Sequence, residues 1–544
     1  MLRPALRAAV VTLVTALALV GLVPATAQAA VAAPASVVVV PGSKQVSVGW
    51  KAVKGAKKYT VQVSSASSFA KSKTRSTTTT KTTATVKSLT QRKTYWVRVK
   101  AAGGSWSKKQ STVPSTNSPR YKEGVKVTAA GTDKVKVSWP KYVAGTSLKV
   151  VASWSNENVY TTGKGTISGV NSAKAWITSV SVARTSVVLT VPAKWRALMG
   201  SKGTEPVYVH LYAKNGSRTA HSVTAFGYPS PPALTGSSKD GVTFATWNIA
   251  SSTATADIPG RTWSQRKAAV TNGILKANAS VVAVQEAAAS QAAGEQYQQL
   301  VRLLSPTYKS AVSVGSIPVP TAQIPTAVKA HTAGLSRSDH ILYKPTDVTV
   351  LDSGVQSTYA VSGSVAWDKS KFDRQFTWAL MQSKATGHDF YVVSTHLEQG
   401  TSATMQKMRK AAAAGVRAFI ENKAKSDGRS GAPIVIMGDL NSDSRWTSGP
   451  QVALVKAGYA SATAAHSTVK RSDTTSNSHN ASKDHGYPAK PYDYKYTGTR
   501  IDYILVKNGG GVSKFVNQMI LTSSGRFNET YRGSDHNLQW ARIR

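Results

Sequence analysis

The stretch Ile434-Val435-Ile436-Met437-Gly438-Asp439-Leu440-Asn441 sets the fold of the C-terminal part of this chain. Its first four residues are apolar, as is typical of a buried strand, and a polar Asp-x-Asn segment follows directly. Alone, Asp-x-Asn could be a turn whose side chains bond to the backbone. Its importance therefore depends on whether other strands of the same region also end in polar residues.

Several other apolar strands of residues 241–544 do carry polar residues at one end, and they alternate with helical stretches. Between Met405 and Phe419, apolar residues recur at spacings of three and four, which predicts an amphipathic helix. Strands alternating with helices predict a layered α/β domain. The polar strand ends are Asn248 after Thr243–Trp247, Gln285-Glu286 after Val281–Val284, His396 after Tyr391–Thr395, Asp502 near the start of Ile501–Val506, and the closing Ser534-Asp535-His536.

Each of these residues alone is a weak signal, because a Glu after a strand is usually a solvated loop residue and a lone His is more often structural. As an ordered set they supply carboxylates and amides for a hard divalent cation, two imidazoles, and a carboxylate near a base. Hydrolysis of a phosphate ester needs those groups, because charge on the phosphoryl oxygens must be neutralised while a water is activated.

Residues 241–544 resemble the endonuclease/exonuclease/phosphatase superfamily, which includes DNase I-like nucleases, abasic-site endonucleases and bacterial sphingomyelinases. The set of motifs is specific for the superfamily but not for the substrate. The resemblance implies an α/β sandwich of two sheets with the site at one end of the sheets. The matching segments are Thr246-Trp247-Asn248, Gln285-Glu286, Ser394-Thr395-His396-Leu397, Gly438-Asp439-Leu440-Asn441, Arg500-Ile501-Asp502-Tyr503 and Ser534-Asp535-His536.

The resemblance implies a metal site at Glu286, the main ligand of Mg²⁺, with Asn248 beside it and Asp535 sharing the ion. Mn²⁺ and Ca²⁺ are the alternative ions. Arg374, in Asp373-Arg374-Gln375-Phe376, resembles the phosphate-side arginine of the superfamily. A surface ion pair with a nearby acid is the alternative for Arg374.

The resemblance also implies the residues that move protons. Asp439 would orient or deprotonate the attacking water, and Asn441 would hold that water or a phosphate oxygen. His536 would pair with Asp502, accepting a proton or, when protonated, stabilising the developing charge. His396 would contact the phosphate or assist the leaving group.

A long polar stretch from Lys470 to Thr499, with His479 and His485, lies outside the common motifs. We interpret it as a solvated excursion, with a substrate-facing loop as the alternative.

N-terminal to this region, two stretches show alternating strands separated by turns, the pattern of all-β sandwiches. The first covers residues 36–115, and the second, at 122–228, repeats its tryptophan strand at Lys134–Trp139. Residues 229–240, rich in Pro, Gly and Ser, are a predicted linker. Three residues of the first stretch resemble core landmarks of a fibronectin type III domain, namely Trp50, Leu89 and Tyr95, and the second stretch resembles that domain more loosely.

The whole chain has 544 residues and a formal net charge of +43, with no cysteine. Disulfides and cysteine metal ligands are therefore excluded, and so large a positive charge indicates polyanionic partners. Residues 30–120 hold 17 Lys or Arg and no Asp or Glu. Residues 121–236 hold 14 Lys or Arg and 4 Asp or Glu, and residues 237–544 hold 35 Lys or Arg and 21 Asp or Glu. The most basic part is thus remote in sequence from the predicted chemistry, and a generally solubilising surface is the alternative explanation.

Residues 1–29 are predicted to be a secretory signal peptide. Arg3 and Arg7 precede an apolar run from Val10 to Val23, and Ala27-Gln28-Ala29 is a small-x-small cleavage site. The run is shorter than the roughly 20 residues of a membrane span. We therefore expect a secreted, extracellular protein, and export without disulfides favours a bacterial route.

The sequence favours a secreted, metal-dependent phosphodiesterase, most plausibly a nuclease acting on extracellular DNA or RNA. The cationic sandwiches would add non-specific, salt-sensitive binding to nucleic acid or to another polyanion such as a cell-wall polymer. A sphingomyelinase-like phospholipid phosphodiesterase is the alternative enzyme, although no apolar hairpin for membrane insertion stands out. A non-catalytic adhesion protein is the other class, and the complete set of site residues argues against it.

Overall fold

The computed structural model describes most of the chain, but the predicted signal peptide and most of the predicted linker lie outside the described residues. None of the described helices has the length and apolarity required to cross a membrane. The described residues are 31–120, 124–153, 175–193, 207–222, 225–230, 234–235, 241–252, 261–287, 296–312, 339–362, 374–443, 448–464, 478–479, 500–520, 522–523 and 527–544.

The first module, residues 36–115, is built from two antiparallel sheets with strand orders β1-β2-β5 and β4-β3-β6-β7. Alternation along β6 buries every second residue, so valines of both sheets pack around Trp50 and Tyr59. The strands are β1 Val38–Gly42, β2 Gln45–Gly49, β3 Tyr59–Ser64, β4 Thr74–Thr79, β5 Thr83–Val86, β6 Tyr95–Ala101 and β7 Gln110–Thr112, with a 3₁₀ turn at Lys71–Lys73.

The second module, residues 122–228, repeats this arrangement with sheets β12-β9-β8 and β11-β10-β13-β14, in which β15 also pairs with β13. Trp139 lies in its core, as the repeated pattern predicts. The likeness of both modules to fibronectin type III domains and all the domain boundaries stay predictions. The strands are β8 Lys126–Gly131, β9 Lys134–Ser138, β10 Ser147–Ser153, β11 Trp176–Val180, β12 Ser186–Thr190, β13 Val207–Asn215, β14 Arg218–His221 and β15 Ala225–Gly227.

The C-terminal domain, residues 241–544, contains two mixed six-stranded sheets. Sheet A has the order β18-β19-β17-β16-β27-β26, and sheet B has the order β20-β21-β22-β23-β25-β24. The described elements are β16 Val242–Asn248, α1 Trp263–Ala277, β17 Val281–Gln285, α2 Gln296–Leu304, β18 Lys309–Ser310, β19 His340–Tyr343, β20 Val348–Ser357, α3 Thr358–Val361, β21 Gln375–Ser383, β22 Asp389–His396, α4 Ala403–Ser426, β23 Ile434–Asp439, α5 Pro450–Lys456, β24 Ala460–Ser461, a 3₁₀ turn at Ala462–Ala464, β25 Asp502–Lys507, β26 Val512–Gln518 and β27 Leu538–Ile543.

Three apolar clusters order the C-terminal domain into layers. Residues of both sheets share one core, where the rings of Phe244 in sheet A and Phe390 in sheet B meet at 5.3 Å. Helices α1 and α2 pack on the outer face of sheet A, and α4 packs on the outer face of sheet B. The predicted α/β sandwich of two sheets agrees with this layering.

Helix α4 is the predicted amphipathic helix. Ser402 accepts the backbone N–H of Met405 at 3.2 Å and so caps its first turn. Met405, Met408, Ala412 and Val416 are all buried against the domain, as their spacing of three and four requires.

Candidate active site

Strand register brings the predicted site residues to one end of the two sheets. In sheet B the parallel strands β22 and β23 pair His396 with Asp439, and the antiparallel β25 pairs Asp502 with Asp439. In sheet A the parallel strands β16 and β17 pair Asn248 with Gln285. The carboxyl ends of parallel strands share one edge, and an antiparallel neighbour begins where they end.

Alternation along the strands points the same side chains into the space between the sheets. Val435 and Met437 of β23 lie in the core between the sheets, so Asp439, two residues further, has the same orientation. Gly438 allows the close pairing, because its φ is 141° and a Cβ there would lie 1.8 Å from the Thr395 carbonyl oxygen. The same alternation applies to Asn248, Gln285, His396 and Asp502.

Glu286 follows β17 with a φ of 58°, the left-handed region that non-glycine residues seldom adopt. Its Oε1 accepts a hydrogen bond from Asn248 Nδ2 at 2.9 Å, and its Oε2 accepts one from the Ser251 N–H at 3.0 Å. Asn248 Nδ2 also donates to Asp439 at 3.2 Å, while its Oδ1 accepts the Ala250 N–H. Asn248 thus holds two carboxylates together, and Glu286 keeps 29% of its side chain exposed.

Asp439 is a buried carboxylate at the centre of the site. Burial raises its pKa to about 7, and the neighbouring charge of Asp502 adds to this, against a lowering effect of His536. Its Oδ1 accepts the Asn441 N–H at 2.8 Å. Asn441 has a φ of 47°, which turns the chain back over the strand end. Asp439 is therefore poised to exchange a proton near neutral pH.

Asp502 and His536 form the predicted imidazole–carboxylate pair, with His536 Nδ1 2.8 Å from Asp502 Oδ2. Both side chains are buried, and His536 Nε2 lies 3.8 Å from Asp439 Oδ2. Burial lowers the pKa of His536, but the charge and hydrogen bond of Asp502, with Asp439 and Asp535, raise it well above its usual value. The geometry thus favours the protonated form of His536.

His396 differs from His536 in that its surroundings favour the neutral imidazole. Arg374 Nη1 lies 2.8 Å from its Nδ1, and Asn441 Nδ2 lies 2.9 Å from its Nε2, so donors face both ring nitrogens. Burial, then the charges of Arg374 and His536, hold the pKa of His396 well below its usual value. Arg374 Nε also lies 3.4 Å from Glu398, the nearby acid of the alternative interpretation, and its contact with a phosphate stays a prediction.

Asp535 contacts a residue that the sequence placed in the polar stretch 470–499. His479 Nε2 lies 3.3 Å from Asp535 Oδ2, and its ring centroid lies 4.7 Å from that of His536. Although burial raises the pKa of Asp535, the hydrogen bond from His479 and the charge of His536 hold it at about 2. His479 is therefore docked at the site, which corrects its interpretation as part of a solvated excursion, while His485 lies outside the described residues.

Sequence reasoning also missed Arg266 of α1, which is 1% exposed. Its guanidinium donates to four backbone carbonyls beside the site. Burial lowers the pKa of Arg266 to about 10, although the charges of Asp535 and Glu286 raise it. An arginine in an amphipathic helix gives no sequence signal of such burial. The carbonyl oxygens belong to Ile249, Ala250, Ser251 and Gly533.

The donors at this site suit a hard divalent cation. Among the described residues, two groups of three ligand atoms lie within 4.8 Å of one another, from His479, Asp535 and His536 and from Asp439, Asp502 and His536. Both groups include His536, which would have to lose its proton to bind a metal ion. Neither group includes Glu286 or Asn248, so their role as metal ligands stays a prediction. Asp502 Oδ1 is buried and has no hydrogen-bond partner among the described residues. Burial and then the charge of Asp502 raise the pKa of Asp439, and a bound cation would stabilise its carboxylate.

Comparison with known proteins relates part of the C-terminal domain to a family. Residues 407–536 match the model of the Endonuclease/Exonuclease/phosphatase family. The resemblance that the sequence motifs indicate is confirmed over these residues. Members of the family are hydrolases that act on phosphoesters, generally with a divalent metal ion. No curated protein matches the chain.

The solved structures that are similar to 56% of this chain include the following three. A family protein from Bacteroides thetaiotaomicron is 16% identical, with a TM-score of 0.39 and 97% of its own chain covered. A mannosyl-6-phosphatase of the same organism is 16% identical, with a TM-score of 0.38 and 99% covered. The human nocturnin catalytic domain with bound sulfate is 15% identical, with a TM-score of 0.35 and 94% covered.

Proposed function

We propose that the C-terminal domain is a metal-dependent phosphodiesterase that hydrolyses nucleic acid outside the cell. The observation that carries this is the convergence of Asp439, the Asp502–His536 pair and the Asn248–Glu286 pair between the two sheet ends. Two buried carboxylates and a buried imidazole, gathered beside the partly exposed Glu286, are costly unless they perform chemistry.

Glu286 and Asp535 are the residues that would hold Mg²⁺, with Asn248 fixing the position of Glu286. Oxygen ligands favour Mg²⁺, Mn²⁺ or Ca²⁺ over softer metals. When bound, the ion would neutralise charge on the phosphoryl oxygens. Glu286 suits this role because 29% of its side chain is exposed, against 9% for Asp535.

The residues of the chain would divide the proton transfers between them. Asp439, with a pKa of about 7, would orient the attacking water and take its proton. His536, held by Asp502 and favoured in its protonated form, would stabilise the negative charge that develops on the phosphoryl group. A carboxylate that accepts a proton near neutral pH and an imidazolium that keeps its proton there can divide the roles of base and charge stabiliser between them.

Arg374 and His396 would bind the phosphate. A neutral His396 does not balance the charge of the guanidinium that it contacts, and among the described residues the ion pair of Arg374 is with Glu398 at 3.4 Å. A partly exposed arginine beside the site is suited to a phosphate oxygen.

A face of the first module supports nucleic acid as the substrate. Trp96, Arg98 and Lys100 occupy alternate positions of β6 and so share one side of the sheet. Cationic side chains lie over aromatic rings on this side. Arg98 Cζ is 4.0 Å from the ring centroid of Phe69 and 4.2 Å from that of Trp106. Lys100 Nζ is 5.1 Å from the Trp106 centroid, and Lys109 Nζ is 5.3 Å from the Trp96 centroid. We call Trp96, Arg98, Lys100, Trp106 and Lys109 the cation–ring face. Basic side chains interleaved with aromatic rings suit a nucleic-acid strand.

Secretion is part of the proposal, and its support is the signal-like pattern of residues 1–29. A nuclease of this charge would meet polyanions outside the cell. The N-terminal sequence of the protein recovered from culture medium tests it, with cleavage after Ala29 as the expected result.

A substrate panel tests the activity. The full-length protein is incubated with plasmid, single-stranded DNA, RNA and sphingomyelin, each with Mg²⁺ and with EDTA. We expect Mg²⁺-dependent cleavage of nucleic acid that EDTA abolishes. Cleavage of sphingomyelin alone would assign the phospholipid alternative, and no cleavage of any substrate would favour the adhesion alternative.

A further inference from the structure

Ser478 contacts Asp502 of the imidazole–carboxylate pair and the residue that follows His536, although it belongs to the polar stretch outside the family motifs. Its Oγ donates to Asp502 Oδ2 at 2.7 Å and accepts the N–H groups of Ile501 and Asp502 at 2.9 and 3.0 Å. Its carbonyl oxygen accepts the Asn537 N–H at 2.7 Å. The residue is fully buried.

These contacts join the two sheets of the domain. Asp502 opens β25 of sheet B, whereas His536 and Asn537 directly precede β27 of sheet A. The Asp502–His536 hydrogen bond therefore crosses between the sheets, and Ser478 is bonded to both sides of the crossing.

The hydroxyl also fixes which oxygen of Asp502 faces the imidazole. Asp502 Oδ2 makes hydrogen bonds with both Ser478 Oγ and His536 Nδ1, while Asp502 Oδ1 has no hydrogen-bond partner among the described residues. Without the hydroxyl, rotation of the carboxylate would exchange its two oxygens, and His536 would lose its fixed orientation. Because two backbone N–H groups occupy the acceptor side of the hydroxyl, its proton can point only to Asp502.

We propose that Ser478 is a positioning residue that completes the Asp502–His536 pair as a serine–aspartate–histidine chain. The inference rests on the proposed function, because it assigns a role to the same site. Ser478 acts through Asp502, so its contribution depends on the Asp502 carboxylate.

The kinetic test compares Ser478→Ala, Asp502→Asn and the double variant of the full-length protein, with Ser461→Ala as matched control. Ser461 is buried in the same domain and bonds Thr463 at 2.9 Å, away from the site. We expect Ser478→Ala to lower kcat about 10- to 100-fold with little change in KM, as for other residues that orient a catalytic group. Ser478→Thr, which keeps the hydroxyl, should restore most of the loss.

The double variant separates positioning from general stability. If Ser478 acts through Asp502, adding Ser478→Ala to Asp502→Asn should cost no more than about twofold. Multiplied losses would overturn the proposal, as would a kcat of Ser478→Ala equal to that of Ser461→Ala.

A measurement without turnover distinguishes this proposal from the proposed function. The proton between His536 Nδ1 and Asp502 should give a downfield ¹H resonance that His536→Ala removes. Ser478→Ala should shift or broaden it, and Ser461→Ala should leave it in place. An unchanged resonance in Ser478→Ala would overturn the positioning role, whereas a shifted resonance in a protein inactive on every phosphodiester would overturn only the proposed function.

Discussion

The first module and the C-terminal domain use charge in opposite ways. Residues 30–120 contain 17 Lys or Arg and no acid, and Arg98, Lys100 and Lys109 of this region lie over aromatic rings on one face. The C-terminal domain instead buries acids, with Asp439 and Asp502 at 2% and 1% exposure. Surface charge indicates the class of partner, whereas charge buried at a cost indicates where chemistry takes place.

The largest effect should come from the buried charges. Glu286→Gln keeps the size of the side chain and removes the charge that would hold the cation. We expect turnover to fall about a thousandfold or more, since charge stabilisation by a metal ion is worth several kcal/mol. Turnover at saturating Mg²⁺ measures this, with Glu529→Gln, at a half-exposed surface acid, as control. Near-normal activity of Glu286→Gln would show that the metal assignment is wrong.

The imidazole–carboxylate pair should give the next largest effect. Asp502→Asn would keep a hydrogen bond but favour the wrong tautomer of His536, so turnover should fall on the order of a hundredfold or more. His536→Ala should cost at least as much, and the double variant little more than His536→Ala alone. The three rates are measured at one pH, and strictly additive losses would mean that the two residues act independently.

The sequence predicted the site where strand geometry alone determines it. Asn248, His396 and Asp439 end strands whose side chains alternate between the two faces of a sheet, so the period of two and the shared edge bring them together. The pairing of Asp502 with His536 followed from the family resemblance, and the structure places the two in hydrogen-bond contact. Helix α4 was predicted from its apolar spacing for a similar local reason.

The residues that the sequence did not identify depend on tertiary packing. Ser478 and His479 lie in a polar stretch whose composition resembles a solvated loop, and only the fold brings them to Asp502 and Asp535. Arg266 looks like one more cation of an amphipathic helix. Its burial follows from the carbonyl groups that surround it, three from residues 249–251 and one from Gly533, far along the chain.

The two N-terminal modules differ in a way that pH should expose. The first has no Asp, Glu or His in residues 30–120, so no such group titrates there. In the second, burial and then the charge of His221 lower the pKa of His210 to about 3. The unfolded chain, with a His pKa near 6.5, binds more protons between these values, so the stability that neutral His210 contributes is lost as pH falls through this window.

We expect the free energy of unfolding of the second module to fall by about 2 kcal/mol between pH 7.5 and pH 5. Hydrogen exchange of the β10 and β13 amides, corrected for its intrinsic pH dependence, measures this, with the β3 and β6 amides of the first module as reference. His210→Gln should flatten the dependence. Equal pH dependence in both modules would show that His210 is not the cause.

The smallest effect concerns the cation–ring face. Lys100→Gln with Lys109→Gln removes two charges from it, and Lys134→Gln with Lys136→Gln removes two exposed charges from β9 of the second module. If the face contacts phosphates, the first pair should lower the salt dependence of binding to long duplex DNA by roughly 0.9 per lysine and weaken binding about tenfold at low salt. The second pair should change both quantities less.

Turnover of a short substrate should be unaffected by either pair, because the lysines lie outside the C-terminal domain. Equal losses from the two pairs would mean that the whole cationic surface binds the polyanion, and that the alignment of Lys100 and Lys109 with aromatic rings serves only to pack the first module.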